Sequence, residues 1–206
     1  NGVTNGTSFI PTATATYTVT GTDANGCVAT DEITVTVNDL PVITGATSLS
    51  VGNSTTLSTT STSSLTNPWS VNNSTLATIS SSGVLTASSV GTVVVTYEDD
   101  NGCTNTYSVN LVAQPTITAT PNPALSPPAV AVCIGESITL IGSNTPDPST
   151  PWTITSATSS ILTVDNYGVV TGMSQGTGVV VYTDSYGGQA TQEVEVLGTP
   201  SITGTM

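Results

Sequence analysis

Apolar and polar residues alternate strictly in short runs along this chain: "EITVTV" from Glu32, "YSVNLV" from Tyr107, "EVEVL" from Glu193. Threonine, valine, isoleucine and tyrosine fill these runs, clusters of Gly, Asn, Asp and Ser separate them, and no stretch offers apolar residues at helical spacing. Period-two alternation with turn signals every few residues predicts an all-β chain. Ile33 and Val35, Val109 and Leu111, and Val194 and Val196 occupy matching positions, with Glu32, Ser108 and Glu193 between them. Each final strand is therefore expected to turn one face to a core and the other to water.

The pattern repeats. "LPVITGA", "QPTITAT" and "TPSITGT" each carry a proline, Pro41, Pro115 and Pro200, that opens a new unit. Inside the units "SVGNSTTL" aligns with "CIGESITL", "NPWSV" with "TPWTI", "SSGVLT" with "NYGVVT" and "GTVVVTY" with "GTGVVVY". Residues 41–113 and 114–198 read as two complete modules, 1–40 as the C-terminal half of an earlier one and 199–206 as the first strand of the next. Asn25-Gly26 and Asn101-Gly102 predict type I′ turns joining the last two strands into a hairpin. About seven short strands per module suit an immunoglobulin-like β-sandwich. Trp69 and Trp152 are then placed as core tryptophans between the sheets.

"TYTVTGTDANGC" and the paired "SVGNSTTL" and "SSSGVLTASSVGTVVVTY" resemble the bacterial Ig-like repeats, group 2 type, of giant Bacteroidota surface adhesins such as the gliding-motility adhesins. The resemblance covers both complete modules, and the opening fragment looks like a neighbouring Ig-like class ending in the same "DANGC" hairpin. It implies an extended array of tandem modules, export by the type IX secretion route, display on the cell surface in association with the outer membrane, and service as stalk or adhesive repeats of a long filament. The C-terminal sorting domain of such adhesins has no counterpart in these residues.

Composition narrows the chemistry. The 206 residues include no Lys, Arg or His and 13 carboxylates, a formal net charge of −13. Phosphate neutralisation and recruitment to acidic membranes both need basic clusters, which sets nucleic acid and membrane surfaces aside as partners. Without His or Lys the usual general bases and Schiff-base amines are missing, so the expectation is no enzyme. No apolar run approaches the ~20 residues of a membrane-spanning helix, and no basic and apolar leader opens the sequence.

Cys27, Cys103 and Cys133 are the sharpest chemical feature. In a sandwich entered at one pole and left at the other, Cys133, just before the "IGES" turn, belongs at the exit pole, and Cys103 or Cys27, beginning the last strand, at the entry pole. These poles lie ~30 Å apart at ~3.3 Å per residue, whereas a disulfide needs Cα atoms within ~7 Å. The expectation is a staple between modules, with partners for Cys27 and Cys103 before Asn1 and for Cys133 after Met206. Across the central junction Ser50 is expected to meet Gly188, and neither is cysteine. The alternative is three free, buried thiols; no spacing resembles a zinc site.

Other candidates have plainer explanations. "EDDNG" offers oxygen ligands for calcium, the single cofactor candidate, but lacks an EF-hand spacing and reads first as a solvated turn. Trp69 and Trp152 could stack on sugars, yet their shared place after a proline favours the core. "TATATYTVT" resembles a threonine ladder and equally a hydrated sheet face. Asn5, Asn53 and Asn73 begin glycosylation sequons, incidental in a bacterial chain. The reading is a non-catalytic stalk or repeat segment of a secreted adhesin or filament, in gliding motility or surface attachment. The alternative is a glycan- or calcium-binding adhesive module. The expected partners are neighbouring modules of the same long chain and other copies in a filament.

Overall fold

The structure is a computed structural model that describes residues 6–119 and 130–198. It begins with a hairpin of β1 (Ala15–Thr22) and β2 (Val28–Val35). A first sandwich follows: β3 (Ile43–Thr44), β4 (Ser48–Ser50), β5 (Ser54–Thr56), β6 (Ser58–Thr59), β7 (Trp69–Val71), β8 (Ala77–Ile79), β9 (Val84–Ala87), β10 (Gly91–Glu98) and β11 (Thr104–Val112). The second repeats that order: β12 (Ile117–Thr118), β13 (Ala131–Cys133), β14 (Ser137–Thr139), β15 (Ile141–Gly142), β16 (Trp152–Ile154), β17 (Leu162–Val164), β18 (Val169–Gly172), β19 (Gly176–Thr183) and β20 (Gln189–Leu197), with a 3-10 turn at Ser156–Thr158 before β17. The "TPSITGT" segment and the Asn5 sequon lie outside the described residues.

Each sandwich packs a four-stranded sheet, β4-β11-β10-β7 or β13-β20-β19-β16, on a three-stranded one, β5-β9-β8 or β14-β18-β17. The edge strand β4 runs parallel to the final strand β11, and β13 likewise parallel to β20, while the other pairings are antiparallel. This is the arrangement of an immunoglobulin-like sandwich, and the chain is all-β, with such sandwiches in tandem.

Alternation drives the packing. Along β11 Val109 and Leu111 are buried, and along β20 Val194 and Val196, while the residues between them face water. The first core gathers Leu49, Leu57, Leu85, Val93, Val95 and the ring of Trp69; the second gathers Leu140, Leu162, Val170, Val180 and Trp152. Trp69 is 8% exposed and stacks at a tilt on Tyr97, and Trp152 is 7% exposed and does the same with Tyr182, each at 4.7 Å between ring centroids. Tilted aromatic pairs of this kind add ~0.5–1.5 kcal/mol beyond the area they bury.

The turns before the final strands differ from the expected type I′. Gly26 and Gly102 take positive φ, 83° and 75°, but the preceding Asn25 and Asn101 do not. Gly102 N donates to Asp99 O (3.1 Å) and Asp99 N to Cys103 O (3.0 Å), the pattern of a three-residue loop that ends in a left-handed glycine. The physical reason is the aspartate. Asp99 Oδ1 accepts from the backbone N–H groups of Asn101 and Cys103, both at 2.9 Å, and fixes a right-handed turn that an I′ geometry would break. Asp23 does the same for Asn25 and Cys27, at 2.9 and 2.8 Å.

The hairpin β1–β2 departs from the expected core-facing pattern, since Ile33 is 61% exposed and Val19 and Val28 stand similarly open. Alternation is kept, but no second sheet covers this ribbon among the described residues. Its polar face is tied by Thr16 Oγ1 to Thr34 Oγ1 (3.0 Å) and by Thr18 Oγ1 donating to Glu32 (3.2 Å). The threonine ladder thus serves cross-strand pairing.

Two buried phenols make the stability of the fold sensitive to alkali. Tyr97 donates to Ser61 O (3.0 Å) and Tyr182 to Asn144 O (3.2 Å). Burial pushes both hydroxyls above the usual tyrosine range, and nearby carboxylates, Asp100 and Asp99 for Tyr97 and Asp184 for Tyr182, add to it. A folded-state pKa raised above the unfolded one means the folded chain holds the proton longer, so stability falls as pH rises beyond ~10. Urea titrations at stepped pH are expected to show constant midpoints up to that point and a decline above it. Tyr97→Phe with Tyr182→Phe is expected to flatten the decline while lowering stability at neutral pH.

Candidate functional site: the junction between the two sandwiches

Polar residues of the two sandwiches, Ser50 and Asn53 on one and Asp184 to Gly188 on the other, meet where the first hands over to the second. Parallel pairing of β4 with β11 sets Ser50 opposite Val112, at the end from which the chain leaves. The β19–β20 hairpin stands at the opposite end of its own sandwich, where the chain enters. Ser50 and its following turn therefore face the loop between Asp184 and Gly188.

The contact is a polar cluster with a buried centre, Ser50 and Asp184, and a more open rim. Ser50 N donates to Tyr186 O (3.1 Å), and Ser50 Oγ donates to the Asp184 carboxylate at 3.1 and 3.4 Å. Asn53 Nδ2 donates to Gly187 O. Asn144, held at a φ of 61°, bridges with its amide, donating to Asp184 Oδ2 (2.8 Å) and to the linker carbonyl of Ala113 (3.0 Å). Asp184 Oδ1 also accepts from the N–H groups of Tyr186 (3.0 Å) and Gly188 (2.7 Å). Ser50 is 0% exposed and Asp184 1%. With no Lys, Arg or His in the chain, this buried carboxylate is satisfied wholly by neutral donors, the hydrogen-bonded condition under which burial of a charge is tolerated.

Gly188 closes the fit. A methyl group placed there would lie 2.5 Å from Ser50 Oγ, 2.6 Å from Pro115 Cδ and 2.9 Å from Ser50 Cβ. Any side chain at 188 must displace or bond to residue 50.

The three cysteines stand at positions equivalent to the two halves of this contact, Cys133 to Ser50 and Cys103 and Cys27 to Gly188. Cys133 ends β13 opposite Leu197, as Ser50 ends β4 opposite Val112. Cys103 and Cys27 stand four residues after Asp99 and Asp23, as Gly188 stands four after Asp184, and all three backbone N–H groups bond that aspartate. All three thiols are free, Cys27 and Cys133 exposed and Cys103 half-buried. The structure does not bring them together.

The acidic turns are held by their own neighbours. The Asp100 carboxylate accepts from Ser64 N and, at 3.4 Å, from Thr62 Oγ1, and the backbone bond from Ser64 chiefly holds it below the usual range. Asp147 is lowered chiefly by the Ser149 hydroxyl, with the N–H groups of Thr150 and Ser149 adding to it. Among the described residues no group of three or more His, Cys, Asp or Glu is placed to hold a metal ion. Trp69 and Trp152 present no open ring face to a sugar, being buried against tyrosines.

Two members of the cluster, Asp184 and Asn144, are not singled out by sequence reasoning. For Asp184 a signal exists: Asp23, Asp99 and Asp184 hold one fixed place while the acids around them vary. For Asn144 there is none.

No family model and no curated protein matches this chain. Solved structures with a similar course of the chain include a mutant intimin of EHEC O157:H7, 18% identical over 40% of this chain and 51% of that one, with a TM-score of 0.31. Domains 4 and 5 of the S-layer protein SbsC are 16% identical over 77% and 98%, at 0.36. Mouse cadherin-23 EC22-24 is 15% identical over 89% and 74%, at 0.29. This chain thus spans about half of that intimin chain. By its own sheet topology the chain is of the tandem immunoglobulin-like sandwich class.

Proposed function

We propose that residues 41–113 and 114–198 are two modules of a non-catalytic stalk in an extracellular cell-surface adhesin or filament. The observation that carries this reading is the dry, fully hydrogen-bonded contact of Ser50 with Asp184, which fixes one sandwich on the next. A binding module needs an open pocket or aromatic platform; a stalk needs a junction that resists bending. Pro41 and Pro115, both buried, restrict the linkers to the same end by fixing φ. The charge of −13 with no cation favours separation of neighbouring copies at close range and leaves trypsin no cleavage site. The finer assignment, to group 2 type Ig-like repeats of Bacteroidota adhesins with type IX export and a part in gliding, is supported by the quoted motifs alone.

Exchange of residues 41–198 in the parent surface protein for unrelated Ig-like modules of equal length tests the role. A stalk predicts that surface attachment survives the exchange. Loss of attachment with display intact would assign adhesion to these modules and reject the stalk. Glycan arrays run with calcium and with chelator are expected to show no calcium-dependent binding by the isolated chain.

A further inference from the structure

We infer that the Ser50–Gly188 contact is the uncrosslinked form of a site at which successive modules are stapled by a disulfide. Cys133, Cys103 and Cys27 are the staple's half-sites at other junctions of the array. The inference rests on the tandem reading of the repeats and is independent of the stalk role.

The backbone of each half-site is the same whether or not it carries a thiol. After Ser50 the chain turns with Asn53 N bonded to Ser50 O (3.1 Å) and Gly52 N to Ala87 O (2.8 Å). After Cys133 it turns with Glu136 N bonded to Cys133 O (3.0 Å) and Gly135 N to Gly172 O (2.9 Å). On the other half, Asp184 N bonds Gly188 O (2.9 Å), and Asp99 N bonds Cys103 O (3.0 Å) and Asp23 N bonds Cys27 O (2.9 Å). What faces position 188 across the one junction seen whole is therefore what faces Cys103 and Cys27 across theirs: the residue ending the parallel edge strand of the preceding module. By the same equivalence, Cys133 faces the first residue after the aspartate turn of the following module.

Distance admits the bond. The Cβ positions at 50 and 188 stand 2.9 Å apart, and opening the junction by ~1 Å reaches the ~3.5–4.5 Å of a disulfide. Inside one sandwich the bond is out of reach, because Cys133 pairs with Leu197 at the far end of β20 from residue 188. Occupancy obeys the rule: where residue 50 is serine its facing residue is glycine, so neither half leaves an unmatched thiol at this junction. Closure converts two thiols to one disulfide with loss of two protons and two electrons. The electrons pass to a disulfide-bearing oxidant: one thiolate attacks it, forming a mixed disulfide and freeing one reduced thiol, and the second thiolate attacks the protein sulfur of that mixed disulfide and frees the other.

The test has two arms. The 206-residue chain carrying Ser50→Cys and Gly188→Cys, treated with oxidised glutathione and mapped under non-reducing conditions after chymotrypsin, is expected to show a crosslink between positions 50 and 188. Cys27, Cys103 and Cys133 should form no protein crosslink in the same monomer, each being recovered as a free thiol or as a mixed disulfide with glutathione. A folded double variant that does not close, or a link between Cys103 and Cys133, would overturn the inference. The second arm needs no variant. The protein taken from its native surface with thiols blocked at once should show Cys27, Cys103 and Cys133 each in a crosslink to a neighbouring module, whereas free thiols there would overturn it.

Discussion

Trp152→Ala is expected to unfold the second sandwich under conditions in which the first remains folded. Removing a buried Trp ring costs ~3–5 kcal/mol through lost transfer energy and the cavity left behind, while a domain of this size holds a total near the lower end of ~5–15 kcal/mol. The ring packs among Leu140, Leu162, Val170 and Val180 and stacks on Tyr182, so no flexible side chain stands ready to fill the space. The effect is read from the fluorescence of Trp69, which reports the first sandwich alone in this variant. A urea titration followed by circular dichroism should show an early loss of about half the β signal, and Trp69 emission should shift only later. Coincident loss of both signals would mean that the junction makes the two sandwiches one cooperative unit. Trp69→Ala supplies the reciprocal case, since its ring holds the equivalent place against Tyr97.

How much of this was legible beforehand follows from which forces are local. Strands and their inward faces could be read because alternation is set by the backbone itself, and Val109, Leu111, Val194 and Val196 are buried as the pattern implies. Ile33 obeys the same pattern yet lies open, because burial of a strand face needs a second sheet and none covers it among the described residues. The turn type was misread because Asn-Gly propensity is outweighed by an aspartate two residues earlier, whose carboxylate captures two backbone N–H groups. That Ser50 and Gly188 face each other was accessible from strand direction alone. The carboxylate between them was not, since a lone aspartate in a turn looks solvated until the neighbouring module is set on top of it.

Asp184→Ala separates the turn's own need for a carboxylate from the junction's need. In the second sandwich the carboxylate bonds the N–H groups of Tyr186 and Gly188 within the turn, and also Ser50 Oγ and Asn144 Nδ2 across the cluster. Its loss leaves the buried Ser50 hydroxyl and Gly188 N–H without a partner, each at ~1–3 kcal/mol, while the Asn144 amide and Tyr186 N–H, partly open, can turn to water, so a total loss of roughly 2–4 kcal/mol is expected. Asp99→Ala removes the same turn bonds, to Asn101 and Cys103, from the first sandwich without touching the Ser50 junction. The difference between the two variants in urea unfolding free energy therefore measures the junction. A further expectation is spectroscopic: the Asp184 charge helps to hold the Tyr182 hydroxyl above the usual range, after burial, so Asp184→Asn should bring its ionisation to lower pH, seen in ultraviolet difference titration. Small-angle scattering should at the same time show the two sandwiches of Asp184→Ala sampling a wider range of separations than the parent chain. Equal losses in Asp184→Ala and Asp99→Ala, with unchanged scattering, would show that the cluster holds only its own turn and leaves Pro115 as the remaining restraint between the two sandwiches.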